Sequence, residues 1–174
     1  RARGNPGLQE LLFSLALENP GVCERCLDQM KEFLEKGNLP TEEKVREFFE
    51  KLAVGELIGL LRPEQRELLR VSRLFEVPVP VAVMQLYAAK AGVAERMEDL
   101  ERLVALSLWE RYPDAMGGER ESVLISALVG PQAGELSDAE RRDLAGCVVK
   151  DLFESWGGGE GGMQRPPRLD LELA

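Results

Sequence analysis

Hydrophobic residues recur at steps of three and four positions through the first third of the chain. Asn5-Pro6 opens the first such run, because asparagine caps a helix well and proline suits its first turn. Asn19-Pro20 and Pro40-Thr41 give similar start signals further on. The first run contains Leu8, Leu11, Leu12, Leu15 and Ala16. This spacing places an apolar stripe on one face of a helix, so we predict a small bundle of helices here.

The second and third helices of this bundle have apolar stripes of the same kind. Their stripe positions are Cys23, Cys26, Leu27, Met30, Phe33 and Leu34, then Val45, Phe48, Phe49 and Leu52. Gly55 and Gly59 follow, and glycine is a weak helix former. We therefore expect a bend or a short separate helix over the stretch from Leu57 to Leu61.

From Pro63 to Val129 the pattern predicts three short helices followed by a two-stranded ribbon. The first helix would run from Pro63 to about Phe75, and Val77-Pro78-Val79-Pro80 would end it, because proline disfavours helical geometry in the residue before it. Pro80 can begin the second helix, which we expect to end before Gly92. Predicted inward positions are Val83, Leu86, Tyr87, Met97, Leu100, Leu103 and Val104.

The ribbon is predicted from two β-like runs with turn residues between them. Leu106 to Tyr112 shifts towards alternation, and Ser122 to Val129 is rich in β-branched and aliphatic residues. The segment from Pro113 to Gly118 has the composition of a turn, so the two runs predict a hairpin. Ser137 and Glu140 then have the spacing of a capping box. The helix that follows carries Leu144, Val148, Leu152 and Trp156.

These elements predict a mainly α fold, with a small helical bundle followed by a winged-helix domain with a short β-hairpin wing. We place the bundle at residues 1–61, the winged-helix domain at residues 62–156 and a Gly/Pro-rich linker or tail at residues 157–174. Five of the six residues from Gly157 to Gly162 are glycine. Ordering such a run against a core costs much conformational entropy.

Charge narrows the classes of function. The chain has 174 residues, is 44% hydrophobic and carries a net charge of −9. Residues 1–61 hold 8 basic and 11 acidic side chains, and residues 62–156 hold 12 and 17. Neither part has the excess of basic side chains that would attract nucleic acid or anionic lipid. We also find no signal-peptide pattern and no apolar run near the ~20 residues of a membrane span.

We therefore expect a cytoplasmic protein that binds neither membrane nor nucleic acid. The chain begins at Arg1 rather than at methionine, and we expect it to be an excised piece of a longer protein, with processing as the alternative explanation of this start.

DNA binding is the usual function of a winged helix, whose third helix enters the major groove. Here that helix would run from Ala94 to Leu106. Its charged residues are Glu95, Glu98, Asp99 and Glu101 against Arg96 and Arg102. Acidic side chains facing phosphates remove the counterion-release contribution that supplies most of the affinity. A fragment of a DNA-binding transcriptional regulator is therefore the weaker alternative.

No catalytic site is visible in the sequence. There is no histidine, which excludes a histidine-based triad or general base. The phosphate-binding motifs G-x-x-x-x-G-K-[ST] and G-x-G-x-x-G are also missing. We expect that this chain is not an enzyme by itself.

Cys23 and Cys26 have the spacing of a zinc knuckle or a redox pair. Cys147 is the only other cysteine, so cysteine and histidine cannot supply the four ligands of a structural zinc site. Both residues also lie on the apolar stripe of their helix, where free cysteine packs as a small hydrophobe. We predict that they pack in the bundle and bind no metal.

The order of these parts resembles STAND-type signal-transduction NTPases, which are relatives of the NB-ARC and apoptotic ATPases. The segment Arg3-Gly4-Asn5-Pro6-Gly7-Leu8 resembles the G-x-P motif that opens their helical lid. Leu61 to Pro80 is similar to the start of their winged-helix domain. Leu100 to Leu108 resembles the leucine-rich helix and strand of that domain, and Leu136 to Phe153 resembles the helix after it.

The resemblance implies a regulatory, nucleotide-sensing and protein-interaction segment that closes over an upstream P-loop NTPase domain of the same chain. It implies ADP or ATP in the parent protein, no cofactor held by this segment alone, and a helical repeat array downstream. Gly4 and Pro6 match the G-x-P motif, whose proline contacts adenine. Asn5-Pro6 is equally well explained as a plain helix start. Ser126 stands where the family often has a histidine that contacts the phosphates of ADP.

A third alternative is a protein-interaction adaptor that uses no nucleotide. The sequence upstream of Arg1 would distinguish these three hypotheses, because a P-loop domain should lie there if the resemblance holds.

Overall fold

The structure is a computed structural model that describes residues 6–36, 41–93, 97–113 and 121–155. Within these residues the chain forms seven α-helices and a three-stranded antiparallel sheet. The predicted fold class, mainly α with a small β-hairpin, is confirmed. No helix in the described part has both the length and the apolar surface required to cross a membrane.

The bundle consists of α1 (Pro6–Glu18), α2 (Pro20–Glu35) and α3 (Glu42–Gly59). Asn19 caps α2, and its side-chain oxygen accepts a hydrogen bond from a backbone N–H of the first turn at 3.2 Å. Thr41 caps α3 in the same way. The helix starts that we predicted from local capping chemistry are therefore confirmed for α2 and α3.

Helix α3 continues unbroken through Gly55, so the short separate helix expected over Leu57 to Leu61 does not form. Leu57 is fully buried on α3, and Leu61 is buried just beyond its end. Each glycine costs only about 1 kcal/mol in a helix interior, whereas burial of a leucine contributes about 1.5–3 kcal/mol. Core packing therefore outweighs the low helix propensity of the glycines.

The second region has the order of elements of a winged helix: helix, strand, two helices and two strands. Its elements are α4 (Pro63–Val71), β1 (Val79–Pro80), α5 (Val81–Lys90), α6 (Met97–Ala105), β2 (Trp109–Tyr112) and β3 (Ser122–Ile125). The last turn of the predicted first helix is a 3-10 turn at Ser72–Leu74. Gly92, with φ of +69°, follows α5 as predicted.

The sheet has three strands, whereas we predicted a two-stranded ribbon. Strand β3 lies in the centre and pairs antiparallel with β1 on one side and β2 on the other. In these pairs Val79 lies opposite Val123, and Trp109 lies opposite Ile125. Strand β1 has only two residues and ends at Pro80, so it is too short for a periodic pattern to predict it. The turn expected between β2 and β3 falls mostly on residues 114–120, outside the described residues.

One hydrophobic cluster extends through both regions of the molecule. It includes Leu11 and Leu57 of the bundle together with Leu69, Tyr87 and Trp109 of the second region. Helix α7 (Asp138–Ser155) packs against α5 and closes this cluster. The boundary that we predict after residue 61 therefore falls inside one continuous core, and the domain limits stay a prediction. The predicted linker or tail lies outside the described residues.

Several residues on the predicted apolar stripes are exposed rather than inward. They are Ala16, Leu27, Leu34, Leu86 and Met97. Leu86, for example, is 51% exposed, whereas its neighbours Val83, Met84 and Tyr87 are buried. The period predicts which face of a helix is apolar, but the neighbouring elements decide how much of that face they cover.

Candidate functional site

A cleft of about 680 Å³ lies between the start of α1 and strand β2. Its walls come from three parts of the chain that are distant in sequence. These are the first turns of α1, the end of α6 with strand β2, and the residues that follow β3. A cleft of this size is within the range of small-molecule and cofactor sites.

Three residues were predicted from the sequence to form a site, and two of them line this cleft. Pro6 is the first residue of α1 and is exposed at the cleft wall. Ser126 follows β3, lines the same cleft and is only 7% exposed. Gly4 lies outside the described residues. The structure therefore brings Pro6 and Ser126 to one place.

The backbone around Ser126 is fixed, but its side chain is not engaged. Its N–H donates to the carbonyl oxygen of Leu108 at 3.0 Å, and its own carbonyl accepts from Val129 at 2.9 Å. Its hydroxyl forms no hydrogen bond with any described residue. The hydroxyl can therefore donate to or accept from a polar ligand in the cleft.

The cleft wall is acidic. Glu10 of α1 and Glu110 of β2 are both exposed and both line the cleft. The Tyr112 hydroxyl donates to the Glu110 carboxylate at 2.7 Å, and this hydrogen bond raises the pKa of Tyr112. Among the described lining residues the basic side chain is Arg111, which pairs with Glu101 and Glu121 of neighbouring elements. The cleft therefore presents negative charge without an uncommitted cation in the described wall.

Sequence reasoning missed Glu10, Glu110 and Tyr112 as parts of this site. Each has the appearance of an ordinary solvated surface residue in the sequence. The available signal was weak: Glu10 lies one helical turn after Pro6, and i to i+4 residues share a face. The position of β2 beside α1 is a long-range contact that no local spacing predicts.

Helix α6 occupies the place of a DNA-recognition helix, but three of its four charged side chains, Asp99, Glu101 and Arg102, are paired within the protein. Arg102 contacts the Glu18 carboxylate of α1 with both terminal nitrogens of its guanidinium group, one of them at 2.7 Å. This hydrogen bonding raises the pKa of Arg102 and lowers the pKa of Glu18. Asp99 is buried, accepts from the side-chain amide of Gln65 at 2.9 Å and pairs with Arg62. The absence of DNA binding stays a prediction, which this paired and acidic surface supports.

The predicted packing of Cys23 and Cys26 in the bundle is confirmed, because both are buried on α2. Burial raises the pKa of Cys26 to about 11, with smaller contributions from the charge of Glu56 and from Cys23. The thiolate that binds metals or attacks disulfides is therefore disfavoured there. The described part of the chain contains no cluster of three or more potential metal ligands.

Comparisons with known proteins assign no family. No family model, curated protein or solved structure matches this chain. The resemblance to STAND-type NTPases thus rests on the sequence motifs, and function has to be argued from the cleft and the residues around it.

Proposed function

We propose that this chain is the regulatory, nucleotide-sensing and protein-interaction segment of a larger STAND-type NTPase of the cytoplasm. In this proposal the bundle is the helical lid, and the winged-helix region follows it. Both close over an upstream P-loop domain that holds the phosphates of ADP or ATP. The segment senses the nucleotide without hydrolysing it.

One observation carries the proposal: Pro6 and Ser126 line the same cleft. The resemblance nominates Pro6 as an adenine contact and Ser126 as a position near the phosphates. These two residues were chosen from motifs at opposite ends of the resemblance. A plain helix start at Asn5-Pro6 gives no reason for Pro6 to share a cleft with a residue that follows β3.

The walls of the cleft suit the uncharged end of a nucleotide better than its phosphates. Pro6 and Leu128 offer apolar surface for a flat base. Glu10 and Glu110 would repel phosphate groups, and Arg111 is already paired within the protein. The Ser126 hydroxyl is uncharged and cannot replace the cation of a histidine. We therefore expect it to hydrogen-bond to base or ribose, with the phosphates directed to the P-loop domain.

Regulation then follows from differential affinity. A nucleotide that contacts both the P-loop domain and this cleft stabilises the closed arrangement over the open one. The population shifts only by the difference between its affinities for the two forms. By itself the segment should hydrolyse no ATP, because the phosphate cradle lies on another domain.

Substitution of Pro6 tests the nucleotide contact. In the longer protein, Pro6→Ala should lower the ADP content that survives purification, because one wall of the cleft loses contact with the base. Pro20→Ala is the matched control, since Pro20 also occupies the first turn of a helix, is exposed and does not line the cleft. That variant should retain ADP as fully as the wild type.

Two results would contradict the proposal. Full retention of ADP by Pro6→Ala would make Pro6 only a helix start. If the longer wild-type protein contains no nucleotide after purification and takes up none, the sensing role is contradicted. The second candidate, a protein-interaction adaptor without nucleotide, is favoured by the acidic wall of the cleft and would then stand first.

A further inference from the structure

Among the described residues, strand β2 has a partner strand on one edge only, because the strand order is β1-β3-β2. In an antiparallel pair, alternate residues direct both backbone hydrogen-bonding groups to the partner strand. The Ser126 N–H donates to the carbonyl oxygen of Leu108, so these two residues form a hydrogen-bonded pair between β3 and β2. Glu110 and Leu124 form the next such pair, because hydrogen-bonded pairs recur at every second residue. Trp109 and Arg111 therefore point their N–H and C=O groups to the opposite edge. No described residue forms a backbone hydrogen bond with either of them there.

The cleft borders strand β2, and its lining also includes Ser126 to Leu128, which continue β3 on the paired side. All four residues of β2, from Trp109 to Tyr112, line it. Side chains of consecutive strand residues point to opposite faces of a sheet, so a surface that follows one face would meet only every second residue. Contact with four residues in succession therefore involves backbone atoms of β2 as well as side chains.

Unpaired strand edges are templates for another strand. Trp109 and Arg111 offer donor and acceptor pairs separated by two residues, about 6.6–7 Å along a strand. An extended peptide backbone repeats its own groups at the same interval. A folded helix or a rigid small molecule does not match this repeat.

The charges around the edge select the side chains of that peptide. Glu110 projects beside the edge on one face of β2, and Glu10 lies across the cleft on α1. Arg111 is neutralised by Glu101 and Glu121, so it does not balance these two carboxylates. A basic side chain on the added strand would lie next to Glu110, and opposite-charge neighbours across strands stabilise pairing.

We propose that the free edge of β2 binds an extended segment of a partner protein that carries basic side chains at alternate positions. The intervening positions would lie on the side of β2 that carries Arg111, whose charge Glu101 and Glu121 already neutralise, so we give them uncharged side chains. This inference goes beyond nucleotide sensing and does not require it. The segment and a nucleotide would fill the same cleft, so they exclude each other.

The probe is a fluorescent peptide in which lysine and valine alternate over about six residues, the usual length of a strand. It is titrated into this chain without nucleotide, and binding is followed by fluorescence anisotropy. Saturable binding is expected, together with slower hydrogen exchange of the Trp109 and Arg111 amides. The same peptide, N-methylated on the amides that face the edge, cannot donate these hydrogen bonds. It should bind at least about tenfold more weakly, since hydrogen bonds contribute about 0.5–1.5 kcal/mol each. A glutamate–valine peptide should not bind.

Substitutions in the chain test the charge selection. The double variant Glu10→Gln with Glu110→Gln should weaken binding by roughly three- to tenfold, in the range of exposed ion pairs. Glu24→Gln with Glu64→Gln removes the same charge from exposed helix positions outside the cleft and should leave binding unchanged.

Three results would overturn the proposal. They are absence of saturable binding, equal binding of the N-methylated peptide, and protection of amides elsewhere than Trp109 and Arg111. Self-association of the chain that protects these amides without peptide would assign the edge to a second copy instead. The ADP content of the longer protein is measured separately, so failure here does not decide the nucleotide-sensing role.

Discussion

The bundle (α1 to α3) and the region from α4 to α7, which we call the winged region, bury different kinds of side chain. In the described part of the bundle, Ser14 is the one buried polar side chain. Aromatic packing joins α2 to α3, with the rings of Phe33 and Phe48 stacked at 4.0 Å between their centroids. The winged region buries several polar groups in hydrogen bonds. The Trp109 indole N–H donates to the Ser72 hydroxyl at 3.2 Å, and the Tyr87 hydroxyl donates to a backbone carbonyl at 2.9 Å.

This difference teaches where geometry is fixed in the molecule. Apolar burial is non-directional, so it brings helices together without specifying every angle. Buried hydrogen bonds are directional, and an unsatisfied partner is costly. The cleft lies where the two regions meet, and the bond of 2.9 Å between the hydroxyls of Ser14 and Ser107 joins them there. This contact links α1 to Ser107, two residues before β2.

Truncation of core leucines should have the largest effect on stability, and the effect should be similar in both regions. Leu15→Ala in the bundle and Leu103→Ala in α6 should each lower the free energy of unfolding by about 2–5 kcal/mol. Because one cluster includes both residues, each variant should still unfold in a single transition. Urea denaturation followed by circular dichroism and tryptophan fluorescence measures this.

Leu17→Ala, at a position 71% exposed on α1, is the control and should change little. Two separate transitions in either core variant would mean that the regions fold independently. The comparison of two differently built halves of one core would then be wrong.

Loss of a buried polar partner should give a smaller but distinct effect in the winged region. Asp99→Ala leaves the buried side-chain amide of Gln65 without its acceptor and should cost about 1–3 kcal/mol. Glu98→Ala, one residue earlier in the same first turn and exposed, should stay within about 0.5 kcal/mol of wild type. Equal stabilities of the two variants in urea would show that the buried contact does not stabilise α6.

Acid should weaken the polar contacts of the winged region before it affects the apolar core. Hydrogen bonds from Ser137, first through its backbone, and then from Arg70 lower the pKa of Glu140 to about 2. The Arg70 guanidinium likewise lowers the pKa of Glu67. The unfolded chain takes up protons below the ordinary value of 4.5, so protonation favours unfolding. This stabilisation is present above about pH 5 and is lost as the pH falls towards about pH 2.

Thermal denaturation across this pH range measures the effect. Glu140→Gln should flatten the dependence of the melting temperature on pH, because it removes the carboxyl group whose pKa is lowered in the folded protein. Parallel slopes for wild type and Glu140→Gln would remove Glu140 as a source of acid sensitivity.

Local chemistry determined most of the helical framework. The caps at Asn19 and Thr41, and the capping box in which the Ser137 N–H donates to the Glu140 carboxylate at 2.9 Å, all formed as predicted. Such signals act within three or four residues, so sequence alone contains them. The same holds for the burial of Cys23 and Cys26, which follows from their place on an apolar stripe.

Only the tertiary structure decided the features that join distant residues. Strand β1 exists because Val79 pairs with Val123, and the carboxylate of Asp99 is buried because Arg62 and Gln65 reach it. The meeting of α1 and β2 created the cleft, and it placed Pro6 beside residues that follow β3. Local sequence preferences specify how each segment bends and which face is apolar. Which segments then become neighbours depends on the packing of the whole chain, and no spacing in the sequence records that choice.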